Sequence, residues 1–458
     1  MTKKEKGSVR RSIAEASIPA LFFRCALPGI LGALLPPLSG LADNLFLSRL
    51  GSAESGAAGV VFPVFALLQT VGFTLGTGAG SILSRSLGAK KRKQATSIAS
   101  LSFILSLSCG LLILAVGLIF RENIPLWFGA NAETLQPAKR YIVGMSFSAP
   151  IVCGSFVFGN LLRAEGKTAW ATLGTGVGVL TTVLLEALFL FRWKLGVSGA
   201  AIAFPVGYAA AFLSMLPLYL FGKSAVRLSF REGICAVRQT GALLRIGLPS
   251  LFRQGFGALA AMLLNHAANG YGTSTVAALS VSNRIFLLLY ALVLGTGQGI
   301  LPIAGVHFGA GDAKRTVKIF RATVFISCVL LLSAAVPVFW FAPRIVALFR
   351  NDAELLRTGS VLLRLSCATL VLHGLIANVN LLLQTVGKAV SASLLAAARQ
   401  GLFFLPVLLF LPRWFGETGL LWAQTVADLL TFLLALPFFF HLLHLAKTQK
   451  ERLPKDAL

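Results

Sequence analysis

The chain has 458 residues, of which 56% are hydrophobic and 12% charged. A soluble chain of this length divides into domains with polar surfaces; here apolar runs of roughly 20 residues follow one another, each long enough to cross a hydrocarbon core of about 30 Å as a helix. The net charge of +25 would suit a nucleic-acid partner, but its placement along the chain points to lipid headgroups instead.

Twelve spans are expected, at about 18–48, 55–83, 96–120, 140–163, 168–191, 198–221, 244–270, 275–305, 319–342, 360–385, 390–411 and 418–443. Of the 41 Lys and Arg, 26 fall in the two tails and the even-numbered connections, 11 in the odd-numbered connections and 4 (Arg24, Arg253, Arg284, Arg399) inside spans. That excess marks the cytoplasmic side, so both termini are expected in the cytoplasm and the chain in a cell (inner) membrane. The runs Lys90-Lys91-Arg92-Lys93 and Lys223 to Arg245 read as topogenic and as contacts to anionic lipid; no nucleic-acid partner is expected. The opening MTKKEKGSVRRS is like the basic end of a signal peptide, but the apolar run after it is too long and lacks a small-residue cleavage site, so the first span is read as uncleaved.

Taken in chain order, the first span carries Pro28, Pro36-Pro37, Ser39, Asp43 and Asn44. Proline removes a helical hydrogen bond, so a break or bend is expected at Pro36, close to the acid. In the second span GTGAG (76–80) superficially matches a dinucleotide fingerprint, but no strand precedes it, and close helix packing explains it better. No GxxxxGK[ST] occurs, so ATP-driven transport is not expected. The fourth span holds Asn160. In the fifth, Thr175, Thr182 and Glu186 are spaced by seven and four and share one helix face. The stretch 222–243 is a polar linker. The later spans bring Arg253, Gln254 and Asn265, then Asn378, Asn380 and Gln384, then Asp428 beside Gln424, Thr425 and Thr431. These polar groups, with Asn44, are candidates to line a substrate cavity, although amides in spans also bond helix to helix. Asp428 equally reads as a bridge between helices. His266, His307 and His373 have no metal spacing, and six scattered cysteines without a CxxC point to neither disulfides nor zinc. No metal and no cofactor beyond a coupling ion is expected. Five dispersed histidines supply no nucleophile–base cluster, so an enzyme is not expected.

Displacing the sequence by 221 residues superimposes Pro28 on Pro249, Asn44 on Asn265, Gly51 on Gly272, Gly76 and Gly78 on Gly297 and Gly299, and Gly166-Lys167 on Gly387-Lys388. With a one-residue slip, Gly196 and Gly199 meet Gly416 and Gly419. The expected fold is therefore an all-α polytopic membrane protein of twelve transmembrane helices in two six-helix pseudo-symmetric lobes, 1–221 and 244–458, joined by the linker 222–243. Parallel repeats of this kind occur in secondary transporters, with the substrate site between the halves.

Only three of the 16 Asp and Glu lie well inside spans: Asp43, Glu186 and Asp428. A mid-membrane carboxylate costs at least about 2.5–3.5 kcal/mol on insertion scales and marks ion or proton pathways. The repeat places Leu264 opposite Asp43 and Pro406 or Val407 opposite Glu186, so this acid pair belongs to the first half alone. The competing explanation is a structural cap or a hydrogen bond to a neighbouring helix for Asp43, and an interfacial pair with Arg192 for Glu186.

The stretches LSGLADNLFLSRLG (38–51), GAGSILSRSLGAKKRKQA (78–95), LLRAEGKTAW (161–170), GVSGAAIA (196–203), RIGLPSLFRQ (245–254), GQGILPIAGVHFGAG (297–311), RQGLFFLPVLLFLP (399–412) and WAQTVADLLTF (422–432), in this order, resemble the multidrug and toxic compound extrusion (MATE) family, and within it the MepA-like and DinF-like branch. The resemblance implies a two-lobed antiporter exporting amphipathic, often cationic small molecules against inward H⁺ or Na⁺. It places the first-span acid at Asp43 and the branch's first-span proline at Pro28, a hinge together with Pro36. The fourth-span asparagine falls at Asn160. The fifth-span Asn-x-x-x-Asp pattern falls on Thr182 and Glu186, a departure at both positions that tilts the coupling ion towards H⁺. The tenth-span acid of the NorM-like branch has no counterpart in LIANVNLLLQTVGK (375–388). Asp43, Glu186, Thr182 and Asn160 are thus the expected coupling-ion set. A flippase for lipid-linked saccharide or peptidoglycan precursors is the alternative, and a monomer the expected functional form.

Overall fold

In hydrocarbon every backbone polar group needs an internal partner, and a helix supplies one within its own segment. The apolar runs accordingly become helices. The computed structural model describes residues 17–48, 52–221, 224–349 and 352–452, and among these no strand occurs. We number the long helices α1 (18–48), α2 (Ser52–Gly88), α3 (Arg92–Ile119), α4 (Leu135–Ala164), α5 (Thr168–Ala187), α6 (Val197–Leu220), α7 (Thr240–Asn269), α8 (Thr273–Gly309), α9 (Ala313–Trp340), α10 (353–385), α11 (389–415) and α12 (417–452).

Nine helical stretches among the described residues are apolar and long enough to span. One of them, Ala389–His444, is α11 and α12 joined at Gly416, whose φ of 57° and ψ of −138° are not helical. The pieces Ala353–Leu370 and His373–Thr385, bent by 52°, make α10. The twelfth helix, α7, is less apolar because Arg245, Arg253, Gln254, Asn265 and His266 interrupt it. The protein is a multi-pass, all-α membrane protein of twelve long helices.

The repeat persists in the backbone. Gly196 ends the α5–α6 turn at φ 56° and ψ −147°, the conformation of Gly416. Gly166 and Gly387 have φ of 78° and 86°, and Lys90, which occupies the position of Gly311, adopts φ 59° against 82°. These are left-handed conformations that only glycine adopts without penalty, so Lys90 is strained by the turn it completes.

Packing divides the helices into two compact units, Leu35–Leu251 and Phe252 onward together with the chain up to Leu34. The unit boundaries fall inside α1 and α7, whereas the repeat alone divides the chain around the 222–243 linker. The physical reason is two glycine crossings. In the first unit (35–251), a Cβ on Gly78 would lie 2.4 Å from the Leu243 carbonyl oxygen and one on Gly247 2.2 Å from that of Thr74. In the second unit, a Cβ on Gly299 would lie 2.3 Å from the Cys25 oxygen, and one on Gly295 2.4 Å from the Ile30 Cα. Gly299 is the repeat mate of Gly78, and Ala26 of Gly247. Each half's leading helix therefore begins against the second helix of the other half.

The helix of α1 runs through Pro36 and Pro37 without a break, so of the break or bend expected there the break is absent. Its irregularity is a π-helical turn, Phe22–Ala26, just before Pro28, and the unit boundary lies directly before Pro36. The linker is docked on the first unit: Glu165, with its side chain fully buried, accepts from Ser224 Oγ (2.5 Å), Ala225 N (3.0 Å) and Lys167 Nζ (2.8 Å). Ser229 caps the short helix Phe230–Cys235, whose Gly233 lies against Ser100 and Ile104 of α3.

At Gly247 no rotamer change relieves a methyl against a carbonyl, and overpacking costs about 1–3 kcal/mol. Gly247→Ala should lower the melting temperature of the purified protein by several degrees. Gly257→Ala, with nothing within 4 Å of the added carbon, should leave it unchanged or raise it, because alanine is the better helix former.

Candidate functional site

The first unit holds a cavity of about 190 Å³ lined by α1, α2, α4, α5 and α6. One water needs about 10–15 Å³, and drug-sized ligands about 300–1,000 Å³, so this space suits water, a small ion or part of a larger molecule. Ser39 and Asp43 come from one face of α1, and Thr175, Gly178, Thr182 and Glu186 from one face of α5, as the seven-and-four spacing predicts. Thr182 sits over Gly207 of α6, where a Cβ would fall 1.8 Å from its hydroxyl oxygen; only glycine lets α6 approach. The Thr182 hydroxyl donates to the Gly178 carbonyl at 3.0 Å, leaving its lone pairs to the cavity.

The two acids meet here: the side chains of Asp43 and Glu186 are hydrogen-bonded to each other. A carboxylate has no donor, so a bond between the two requires a proton on one of them. Asp43 Oδ1 and Glu186 Oε2 are buried with no hydrogen-bond partner among the described residues. An orphaned buried acceptor is costly, and a proton or small cation removes that cost. Among the described residues no basic side chain lines the cavity; its wall is aromatic and thioether, from Phe65, Tyr141, Phe156, Phe204, Tyr208, Met145 and Met215. Ring faces attract cations and methionine adapts to varied shapes.

Asn160 is not part of this lining. It is buried one turn from Phe156, donates to the Phe156 carbonyl at 2.8 Å and packs against Gly76 of α2, so the GTGAG glycines serve close packing. The remaining sequence candidates lie elsewhere. Asn378 donates to Ser327 Oγ of α9 (2.9 Å) and the Gly374 carbonyl (2.7 Å). Asn380 donates to the Ala392 carbonyl of α11 (2.6 Å) and accepts from Arg253 (3.5 Å). Gln384 is buried, Gln254 half-buried and Asn265 exposed. Asp428 accepts from Arg399 Nε and Gln424 Nε2, each at 2.9 Å, so it bridges helices. The Asn44 side chain lies outside the described residues.

The aromatic wall was not foreseen from the sequence. Its one signal was tyrosine: the chain has only five, and Tyr141 and Tyr208, both inside spans, line the cavity.

A family model, MatE, matches residues 28–188 and 249–408. The chain belongs to the MatE family. The two MatE matches start 221 residues apart and end 220 apart, the displacement and slip of the internal repeat. A curated relative, the multidrug export protein MepA of Staphylococcus aureus (strain MSSA476), is 26% identical over 412 residues, covering 90% of this chain and 91% of its own. Among solved structures, a multidrug resistance MATE family transporter in an outward-facing conformation superposes with a TM-score of 0.89 at 23% identity, covering 96% of this chain and 98% of its own. A MOP superfamily transporter from Pyrococcus furiosus superposes at 0.88, also at 23% identity and with the same coverages. These likenesses establish the twelve-helix MatE fold for this chain.

Because Asn160 bonds within its own helix, Asn160→Ala should lower the melting temperature by a few degrees, from a lost hydrogen bond of about 1 kcal/mol. The coupling-ion dependence of transport should be unchanged; a switch of ion in this variant would place the amide at the ion.

Proposed function

We propose that this MatE-family chain is a secondary active antiporter that exports amphipathic, cationic small molecules in exchange for inward H⁺. The observation that carries the proposal is the adjacent pair of buried acids, Asp43 and Glu186, in a cavity whose lining among the described residues includes no basic group. Ionised, the pair attracts an organic cation to the aromatic wall. Protonated, it loses that attraction and the cation leaves. Exchange then needs only that proton and substrate have different affinities for the two access states. The name of the Staphylococcus aureus relative, a multidrug export protein, is in keeping with this reading.

Sodium is the less suitable ion. It requires several oxygen ligands at once, and the amide anticipated from the sequence, Asn160, bonds within its own helix and does not line the cavity. A proton needs a single lone pair. The proposal includes Pro28 and Pro36 as hinge positions in α1, a monomeric transporter in a cell (inner) membrane with cytoplasmic termini, and no cofactor other than the coupling ion. Membrane lipid is its remaining partner, through the basic connections. A flippase for lipid-linked saccharides would want cationic groups to hold phosphates, and the lining offers two carboxyls instead.

Dye efflux from proteoliposomes under separately imposed H⁺ and Na⁺ gradients tests this. Efflux of a cationic dye should follow the H⁺ gradient and fall at least tenfold in Asp43→Asn, equivalent to about 1.4 kcal/mol, with the protein still inserted and monodisperse. Efflux driven by Na⁺ alone, or undiminished in the variant, would reject it.

A further inference from the structure

The linker that follows α6 is polar in composition, yet it is seated on a membrane-spanning helix. Its short helix Phe230–Cys235 packs on α3: a Cβ on Gly233 would fall 2.6 Å from Ile104 Cδ1 and 3.0 Å from the Ser100 carbonyl carbon. The backbone N–H of Ser229 donates to Ser100 Oγ at 2.9 Å, and the Phe230 ring stands 6.2 Å from Phe103, edge-on. Glu165 holds the start of the same segment through Ser224 and the Ala225 N–H.

The place of this contact along α3 gives the depth of the linker. α3 opens on RKQATS and carries no charge from Ile98 to Ile119, a length of about 33 Å against a hydrocarbon core of about 30 Å. Ser100, Phe103 and Ile104 belong to the first two turns of that uncharged stretch. A segment resting on them lies at the boundary between headgroups and acyl chains, deeper than the basic turn Lys90-Lys91-Arg92-Lys93 from which α3 starts.

The outward face of the segment suits that depth. Val226, Gly233 and Ala236 turn inward and are buried, whereas Phe230, Ile234 and Val237 are 64%, 62% and 54% exposed. Arg227, Arg231 and Arg238 are exposed beside them, and among the described residues none of the three has an ion-pair partner. The single acid between Ser224 and Thr240, Glu232, has its Oε2 buried. An apolar row flanked by cations is the pattern of an element lying in a membrane surface, with apolar side chains among the acyl chains and arginines reaching up to phosphates. We propose that residues 224–240 are an interfacial anchor of the first unit: Phe230, Ile234 and Val237 enter the inner leaflet, and Arg227, Arg231 and Arg238 hold the headgroup of an anionic phospholipid. A soluble anion would leave the apolar row in water. A second copy of this chain, itself at +25, would bring like charge to the arginines. The proposal deepens the lipid contacts assigned above to the basic connections and uses neither Asp43 nor Glu186, so it and the dye-efflux test fail separately.

The test places a bimane fluorophore on Ile234→Cys in the full chain, in nanodiscs, with the exposed Cys235 changed to Ser; the Cys235→Ser protein without the new cysteine gives the background. Lipids brominated on the acyl chains should quench the label, and aqueous iodide should not. When a small, equal share of brominated lipid is diluted into phosphatidylcholine, phosphatidylglycerol should quench about twofold more than phosphatidylcholine. Changing Arg227, Arg231 and Arg238 together to Gln should remove that excess and keep the chain quenching, because the apolar row remains. If the triple variant does not fold, 0.5 M salt on the natural arginines should reduce the excess in the same way, since screening weakens exposed charges. Quenching by iodide in place of bromine would put the linker in water and overturn the proposal. Quenching by neither, as under another protein surface, or equal quenching by the two lipids would overturn it as well.

Discussion

Two carboxyl groups cannot both be ionised at close range in an apolar surrounding without a cation between them. In this protein Asp43 and Glu186 are brought together under that constraint, and the first unit is arranged to tolerate it. Gly207 admits α6 close enough to seat Thr182, Gly178 gives the Thr182 hydroxyl its acceptor, and an aromatic and methionine wall encloses the rest. The cavity leaves one oxygen of each acid without a partner. Such an arrangement is poor for stability and suited to an exchangeable cation, which is the trade that functional sites make.

The frame that holds this site is common to both halves of the chain. Glycine crossings of the same register occur in both units, Gly78 on Leu243 and Gly299 on Cys25, and the left-handed turns at Gly196 and Gly416 have nearly the same dihedral angles. What differs between the halves is the chemistry placed on equivalent helix faces. The first half carries two acids and an open space. The second carries Asp428 already neutralised by Arg399, with His373 against it. A repeated scaffold with unequal polar content keeps the packing common and confines the open pair of acids to one copy.

Polar residues inside spans divide in the same way. Asn378 and Asn380 spend their amides on neighbouring helices, the outcome expected of buried groups that must find partners. Asn160 does so within its own helix. None of them is left to meet a ligand in the way that Asp43 and Glu186 are. The distinction between an amide that glues and an acid that binds rests on whether a partner is within reach, and the residue type alone does not contain it.

The helices, their number, the repeat and its displacement were all legible in the sequence, because hydrophobic run length and glycine position are local properties that hydrocarbon enforces. The pairing of Asp43 with Glu186 was legible in outline, from the cost of acids at mid-span and from the Thr175, Thr182, Glu186 face. The exchange of half-helices between the units was not, since the close approach of Gly247 to Thr74 depends on which helix lies opposite. The exclusion of Asn160 from the cavity, and the gathering of His373, Arg399 and Asp428 from three helices, were likewise settled only by tertiary contacts. Spacing along one helix predicts which side chains share a face, but which faces meet depends on how separate helices pack in three dimensions.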